Sequence, residues 1–353
     1  MKEWKNNIRT VEPYVPGEQP KVANIIKLNT NENPYPPAPA VVKAAANMDA
    51  NPLRLYPDPK IEKLVNALAK AHNVDSSQVF AGVGSDDVLS MIFLTFFNSK
   101  KPILFPDITY SFYKVWADVY RIPYETPALD ENFRIVASDY YKENGGVVIT
   151  NPNAPTSICE SLDFIRDILA HNSDSIVVVD EAYIDFGGET ALPLLREFDN
   201  LIVVRTFSKS RSMAGLRVGY AVASAEIIKA LNDVKYSINS YTLNMPAIEL
   251  ATLAVESEAY YEEITAKIIA TREWTVKELA TLGFECLPSS ANFVFAKHNY
   301  VPAETIFNAL KAEGIFVRYF KAPRINEYLR ITIGTDEEMG KVVEFLKNYF
   351  MEN

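Results

Sequence analysis

Three charged residues in the middle of the sequence have types and a spacing that suit chemistry on an anionic ligand. Asp180 ends an apolar run, and a carboxylate buried there needs a cationic partner or strong hydrogen-bond donors. Lys209 follows a second apolar run, and a deprotonated lysine can form a Schiff base. Arg217 comes eight residues later, and a guanidinium beside a hydroxyl-rich turn can clamp a phosphate. Taken singly, Asp180 is equally well explained by a structural ion pair, and the other two by surface exposure.

A glycine-containing segment, Gly82–Asp87, links a predicted strand to a predicted helix. Glycine lets the backbone approach an anion, and the free N–H groups of a first helical turn bind phosphate. The segment lacks the third glycine of a dinucleotide-binding fingerprint. Ser85 is therefore either a phosphate contact or only the N-cap of the helix.

Apolar runs that alternate with helical patterns position these residues. The pattern predicts a mostly parallel sheet that is covered on both faces, because its strands are continuously apolar. The predicted strands are 79–83, 102–105, 146–150, 176–180, 201–206 and 218–223. The predicted helices between them are 85–97, 111–120 and 162–171. In an α/β sheet of this kind, ligands bind beyond the carboxyl ends of the strands.

The pattern changes after about residue 245. A long amphipathic helix is predicted over 261–282 with Gly283 after its end, followed by strands near 293–295, 314–317 and 329–333 and a helix over 336–349. We therefore predict three parts: an N-terminal arm over 1–28 that packs with the small domain or with a neighbouring subunit, a large domain over 29–245, and a small α+β domain over 246–353.

Composition excludes several classes of protein. The chain has 353 residues and a net charge of -10, and this acidic balance argues against a nucleic-acid partner. No apolar run reaches the length of a membrane span, and residues 1–10 do not resemble a signal peptide, so we expect a cytoplasmic protein. Cys159 and Cys286 are expected to be reduced. With three histidines in the chain, we expect no histidine-based metal site and no catalytic triad.

The order of the charged residues resembles that of known enzymes. An aspartate at a strand end, a Ser-Lys pair 29 residues later and then an arginine are similar to the pattern of fold-type I enzymes that use pyridoxal 5′-phosphate (PLP). Asp180-x-x-Tyr183 and Gly215-Leu-Arg217 resemble class I/II aminotransferases. Seven segments resemble the histidinol-phosphate aminotransferases in particular: 28–34, 55–59, 84–86, 180–183, 205–209, 214–217 and 329–334.

The resemblance implies an α/β fold, with a seven-stranded, mostly parallel sheet in the large domain, and a set of PLP contacts. By it, Lys209 forms the internal aldimine and moves a proton, Asp180 pairs with the ring nitrogen, and Tyr183 donates to the ring's 3′ oxygen. Tyr110 stacks on the ring. Residues implied to hold the cofactor phosphate are Ser85, Asp86, Thr206, Ser208, Arg217 and, from the neighbouring subunit of a homodimer, Tyr56.

The resemblance also implies a substrate. Arg330 and Arg318 match residues that grip the substrate's anionic group, and Tyr14 and Asn29 match positions near it. The implied reaction is ping-pong transamination of L-histidinol phosphate, with 2-oxoglutarate as the acceptor, in histidine biosynthesis. Threonine-phosphate decarboxylation and transamination of aromatic or varied amino acids on the same fold stay open, as does a non-catalytic homologue.

One loop departs from the family's pattern. The family has Asn-Pro-Thr-Gly where an asparagine contacts the ring, but here the run is Asn151-Pro-Asn-Ala-Pro-Thr-Ser157. Ala154 precedes Pro155, so Asn153 is the predicted substitute through a one-residue slip of the loop. Ser157 stands in place of the glycine.

Overall fold

The structure is a computed structural model, and it describes residues 2–21 and 24–352. Its largest sheet has seven strands in the order β2-β8-β7-β6-β5-β3-β4. These strands are β2 (Val79–Gly82), β3 (Ile103–Leu104), β4 (Tyr124–Glu125), β5 (Gly146–Thr150), β6 (Val177–Asp180), β7 (Leu201–Thr206) and β8 (Gly219–Ala223). All neighbouring pairs are parallel except those of β8, which runs antiparallel to β2 and to β7. The predicted mostly parallel sheet is confirmed.

Helices cover both faces of this sheet. Val178 packs on one face with α3 (Gly84–Phe96), α4 (Phe112–Tyr120) and α6 (Ala225–Ile238). Val177 and Val179 pack on the other face with α5 (Leu162–His171). Both faces of β6 are therefore buried, which explains why its sequence is continuously apolar. The helices up to residue 255 are α1 (Pro39–Ala46), α2 (Glu62–His72), α3 (Gly84–Phe96), α4 (Phe112–Tyr120), α5 (Leu162–His171), α6 (Ala225–Ile238) and α7 (Met245–Val255).

The rest of the chain forms a smaller antiparallel sheet with helices on one side. Its strands follow the order β12-β13-β10-β9. The elements are α8 (Glu258–Thr281), β9 (Phe284–Cys286), β10 (Phe293–His298), α9 (Ala303–Ala312), β11 (Ile315–Phe316), β12 (Arg318–Tyr319), β13 (Leu329–Thr332) and α10 (Asp336–Glu352). Gly283 has a φ of +85° just after α8, as its position predicts.

The N-terminal segment joins the smaller sheet region. Strand β1 (Ile26–Lys27) pairs in parallel with β11. Helix α7 packs against α1 and α2, and the N-terminal turns of α8 share the same apolar cluster through Tyr261 and Ile264. The division into domains at residue 245 stays a prediction, and the chain is packed continuously across it.

The sheet brings its functional strand ends to one edge. Thr150, Asp180 and Thr206 are the last residues of three adjacent parallel strands. Gly82 ends β2 opposite Gly219, where the antiparallel β8 begins. The segments that follow residues 82, 150, 180 and 206 therefore emerge side by side. Within the described ranges, every helix is too short or too polar to span a membrane.

Candidate active site

A cavity of about 430 Å³ lies at this edge of the large sheet, below the smaller sheet and the N-terminal arm. Thirteen of the side chains singled out in the sequence line it. They are Tyr14, Asn29, Ser85, Asp86, Tyr110, Asp180, Tyr183, Thr206, Ser208, Lys209, Arg217, Arg318 and Arg330. Residues that are separated by up to 316 positions in the sequence therefore face one space.

Lys209 lies in the turn after β7 and points into the cavity. Its Nζ donates a hydrogen bond to the Thr30 carbonyl oxygen at 3.1 Å and lies 5.6 Å from the centre of the Tyr183 ring. Among the described residues, no carboxylate lies within 4 Å of this Nζ. The amine is therefore held in place by a neutral acceptor and is not locked in an ion pair.

Asp180 is buried on the opposite side of the cavity, with 3% of the residue exposed. One carboxylate oxygen accepts a hydrogen bond from the Tyr113 hydroxyl at 2.8 Å, and the other from the Ala182 N–H at 3.1 Å. Burial raises the pKa of Asp180 to about 6, although both donors act in the opposite direction. No lysine or arginine of the described chain lies within 4 Å of this carboxylate, so a cationic ligand would find it unpaired.

Tyr183 is nearly buried, and its hydroxyl accepts a hydrogen bond from the Asn31 side-chain amide at 3.0 Å. Its ring packs edge-on against Phe293 with the ring centres 5.1 Å apart. Since Asn31 donates, the hydroxyl proton of Tyr183 is left for an acceptor in the cavity.

An anion site lies where β2 meets α3. Gly84 has a φ of +82°, and a Cβ atom at Gly219 would lie 2.3 Å from the Ser85 nitrogen. Only a glycine at 219 therefore lets β8 pass this close to the start of α3. The first N–H groups of α3 have no partner within the helix, and this end of the helix dipole is positive. The hydroxyls of Ser85, Thr206 and Ser208 line the same cavity.

Arg217 reaches this anion site from a left-handed backbone position, with a φ of +58°. Its Nη2 lies 3.0 Å from the Asp86 carboxylate. The Tyr110 hydroxyl donates to the other oxygen of Asp86 at 2.8 Å, and burial together with Asp86 raises the pKa of Tyr110. Asp86 thus connects a cationic side chain to an aromatic ring, both of which line the cavity.

Two arginines form the other end of the cavity. Arg318 and Arg330 are directly opposite each other in the antiparallel pair β12–β13, and like charges so placed repel. Neither has a carboxylate within 4 Å in residues 2–21 and 24–352. Burial, followed by the charge of Arg318, lowers the pKa of Arg330. The Nε of Arg330 is buried without a hydrogen-bond partner, as is the Oδ1 of Asn29. This end therefore provides unpaired positive charge for an anion.

The segment Leu28–Asn33 runs between the two ends. The Leu28 backbone bonds to Phe316 and Thr332 of the smaller sheet region. The Asn29 carbonyl accepts from Arg330 at 2.9 Å, and the Thr30 carbonyl accepts from Lys209. Further along, Asn31 contacts Tyr183 and Asn33 donates to the Lys209 carbonyl at 3.0 Å. One short segment thus contacts Arg330, Lys209 and Tyr183.

The N-terminal arm closes one side of the cavity. Tyr14 stacks on Phe112 with ring centres 4.3 Å apart, and Gly17 and Gln19 line the cavity beside it. The Asn29 amide donates to the Glu18 carbonyl at 2.7 Å. Tyr14 and Asn29 thus both line the cavity, and their predicted role beside the substrate stays a prediction.

Two of the predicted residues do not reach the cavity. The side-chain amide of Asn153 donates to the Ile108 carbonyl at 2.9 Å and to Thr156 at 3.0 Å, so it holds its own loop while Ala154 and Pro155 line the cavity. Tyr56 is 81% exposed and stacks on Tyr241, with the ring centres 4.6 Å apart. Ser157 adopts a φ of +66°, the left-handed conformation for which the family's pattern has glycine.

Three contributors were not predicted from the sequence: the Thr30 carbonyl, the Asn31 side chain and Tyr113. Thr30 and Asn31 lie in segment 28–34, from which only Asn29 was predicted as a site residue, and a carbonyl contact leaves no signature in residue type. Tyr113 lies one helical turn after Tyr110, which was the one signal that could have found it.

The chain belongs to the aminotransferase class I and II family, whose model matches residues 23–346. The family consists of PLP-dependent aminotransferases. The predicted family, fold class and class of enzyme are thereby confirmed.

Individual relatives show to which members of the family the chain is similar in sequence. The chain is 52% identical over 350 residues to the histidinol-phosphate aminotransferase of Acinetobacter baumannii (strain SDF), which covers 98% of this chain and 97% of that protein. It is also 52% identical over 346 residues to the enzyme of that name from Lactococcus lactis subsp. cremoris (strain MG1363), with coverage of 98% and 97%. The predicted resemblance to this subfamily is confirmed.

A solved structure has the same fold. The histidinol-phosphate aminotransferase of Sinorhizobium meliloti, in complex with pyridoxal-5′-phosphate, superposes with a TM-score of 0.83 at 24% identity. The match covers 92% of this chain and 91% of that chain.

Proposed function

We propose that this chain transaminates L-histidinol phosphate with 2-oxoglutarate as the amino acceptor, using PLP held on Lys209. The observation that carries the proposal is the geometry of one cavity. An amine without an ion-pair partner, Lys209, and a buried carboxylate without a cation, Asp180, face a space that ends in two unpaired arginines. The names of the relatives supply the substrate, since both are histidinol-phosphate aminotransferases.

The residues present fit PLP. Asp180 is buried without a cationic neighbour, and burial raises its pKa. A protonated ring nitrogen would supply the missing positive charge. The cofactor phosphate fits the start of α3, where the missing side chain of Gly219 leaves the Ser85 N–H unobstructed. Arg217 lines the cavity beside this position. The hydroxyl proton of Tyr183 is free to bond to the ring oxygen. When bound, PLP supplies an electron sink for the electron pair that is released at the substrate Cα.

The remaining chemistry is performed by the chain itself. Lys209 Nζ would hold the cofactor and, as a free amine, would accept the proton released at the substrate Cα. The negative charge of Asp180 would favour a proton on the ring nitrogen. Arg217 and the hydroxyls of Thr206 and Ser208 would hold the cofactor phosphate, and Tyr110 would pack against the ring. The loop of Asn153 supports the cavity wall from behind.

Arg318 and Arg330 bind the substrate anion. A guanidinium pairs with phosphate or with carboxylate in the same bidentate geometry, so one pair of arginines can serve the phosphate of one substrate and a carboxylate of the other. The Nε–H of Arg330 has no hydrogen-bond partner among the described residues, so it can donate to this anion. Tyr14 and Asn29 close the site around it.

We also propose a homodimer in which Tyr56 completes the partner's phosphate site. Tyr56 is exposed together with Leu53, Leu55 and Ile238, and it lies outside the cavity of its own chain. An exposed apolar patch of this kind marks an interaction surface. We propose a cytoplasmic location for the enzyme as well.

The test is a turnover assay with purified protein and added PLP, read out as glutamate formed from 2-oxoglutarate. We expect activity with histidinol phosphate that exceeds activity with phenylalanine, and no decarboxylation of threonine phosphate. Lys209→Ala should abolish turnover, while Lys229→Ala, which removes an exposed lysine that pairs with Asp233 away from the cavity, serves as the control. Substantial transamination by Lys209→Ala, or a preference for either competitor, contradicts the proposal.

A further inference from the structure

The side chain of Tyr113 reaches from the core of the large domain to the carboxylate of Asp180. Tyr113 is fully buried in the first turn of α4, between Phe93, Phe105 and Trp116. Its hydroxyl is 2.8 Å from one Asp180 oxygen and 2.6 Å from the Thr150 hydroxyl. A buried phenol needs such partners, because an unpaired hydroxyl in an apolar core is costly.

The direction of these hydrogen bonds follows from the chemistry of Asp180. An ionised carboxylate can only accept hydrogen bonds, so the Tyr113 hydroxyl donates its hydrogen bond to Asp180. The Tyr113 oxygen can in turn accept a hydrogen bond from the Thr150 hydroxyl. Thr150 is in turn 3.1 Å from Thr109, whose hydroxyl donates to Asn153 at 2.7 Å. Each hydroxyl has one proton, so Thr109, which donates to Asn153, and Thr150, which donates to Tyr113, do not bond to each other. The hydrogen-bonded chain that ends at Asp180 therefore begins at Thr150, which itself lines the cavity.

Asp180 has few other contacts that could fix its orientation. Only the Ala182 N–H, at 3.1 Å, binds the second oxygen within the described part of the chain. That donor lies on the same segment as Asp180, whereas Tyr113 belongs to a different element that packs on the sheet. Within residues 2–21 and 24–352, Tyr113 is thus the one side chain that ties the carboxylate to the core.

We propose that Tyr113 is a positioning residue that fixes the Asp180 carboxylate toward the ring nitrogen of the cofactor. The proposal rests on the function proposed above, since it needs PLP in the cavity. Tyr113 touches neither cofactor nor substrate, because it does not line the cavity. Among the described residues its hydroxyl contacts Asp180 and Thr150, and the carboxylate is the charged one of these two partners.

Tyr113→Phe tests this directly, because it removes the hydroxyl and keeps the ring. Hydrogen bonds to charged groups are stronger than those between neutral groups, so the variant should bind PLP about 10-fold more weakly. The dissociation constant is measured by quenching of tryptophan fluorescence when PLP is titrated into apoprotein. In addition, the ¹⁵N chemical shift of PLP labelled at the ring nitrogen should change in the loaded variant, because this shift reports the bond between that nitrogen and Asp180.

Tyr140→Phe is the matched control. Tyr140 is 1% exposed in the core on the other face of the sheet, and its hydroxyl is buried without a partner. This substitution removes a buried hydroxyl as well but should leave both the PLP affinity and the ¹⁵N shift unchanged. Thr150→Val, which removes the donor to Tyr113, should shift both quantities in the same direction as Tyr113→Phe by a smaller amount, and it serves as the second variant.

The outcomes separate the two proposals. If wild-type protein binds PLP and Tyr113→Phe and Thr150→Val match it in affinity and ¹⁵N shift, the positioning role is overturned while the proposed function stands. If wild-type protein does not bind PLP, the proposed function fails and this inference fails with it. A weakened affinity and a changed shift in Tyr113→Phe, absent from Tyr140→Phe, support the inference.

Discussion

At the end of the cavity that the large sheet forms, the charged residues already have partners: Asp180 accepts two hydrogen bonds, and Arg217 pairs with Asp86. At the end formed by the smaller sheet, Arg318 and Arg330 lie opposite each other without a carboxylate among the described residues. The first end can hold one ligand permanently, whereas the second is organised for anions that enter and leave. Substitutions at the two ends should therefore affect different steps.

Arg330→Ala should cause the largest loss of activity, and the loss should come from weaker binding of the substrate and not of PLP. Loss of a desolvated charged partner costs roughly 2–5 kcal/mol, so we expect kcat/KM for histidinol phosphate to fall ~100-fold or more. The dissociation constant for PLP should not change. Arg324→Ala is the control, because its guanidinium pairs with Asp107 outside the cavity. Equal losses of PLP affinity and of kcat/KM would remove the distinction between the ends.

Asp180→Asn should stabilise the protein when PLP is absent. The carboxyl has a pKa near 3.8 when exposed and about 6 when folded, so its contribution is present below pH 3.8 and is lost as the pH rises through 6. The lost stability corresponds to ~3 kcal/mol. Thermal unfolding of apoprotein should show the variant more stable than wild type at pH 8 and equal to it near pH 4. The exposed Asp118→Asn is the control, and an unchanged difference between the two pH values would contradict the buried, unpaired state.

The positions of six strands of the large sheet and the residues at their ends could be predicted from sequence because burial on both faces leaves continuous apolar runs, such as Val177–Val179. The tyrosine at 113 could not, because a hydroxyl that contacts Asp180 across 67 positions has no local pattern. The loop at Asn153 shows a second limit. Counting residues placed an asparagine near the ring, but the backbone turned its amide toward Ile108. Position within a loop depends on backbone dihedrals, which residue order alone does not specify.

Arg217→Lys should weaken the cofactor end by a smaller amount. Lysine keeps the charge but not the planar pair of donors, so PLP should bind about 10-fold more weakly and KM for substrate at saturating PLP should stay the same. Arg121→Lys is a close control, because Arg121 is exposed and has a similar φ of +59°. If both variants lose affinity equally, strain at the left-handed position explains the loss and the phosphate role is wrong.

Tyr56→Phe should have the smallest effect, about a few-fold loss of PLP affinity, since one hydroxyl is removed. Tyr300→Phe, which is 89% exposed elsewhere, is the control. Mixing Tyr56→Ala chains with Lys209→Ala chains gives a sharper test. Mixed dimers should recover activity, because one site then has Lys209 from one chain and Tyr56 from the other. Absence of recovery in verified mixed dimers would contradict a shared site.

The segment from Leu28 to Asn33 makes the two ends mechanically dependent. Its backbone is hydrogen-bonded to the smaller sheet region at Leu28, and the side-chain amide of Asn33 donates to the carbonyl of Lys209. Any tilt of the arginine-bearing strands must therefore pull on the carbonyl that holds the Lys209 amine. An anion that draws the two guanidinium groups together would therefore act, through this short segment, on the carbonyl to which the Lys209 amine donates.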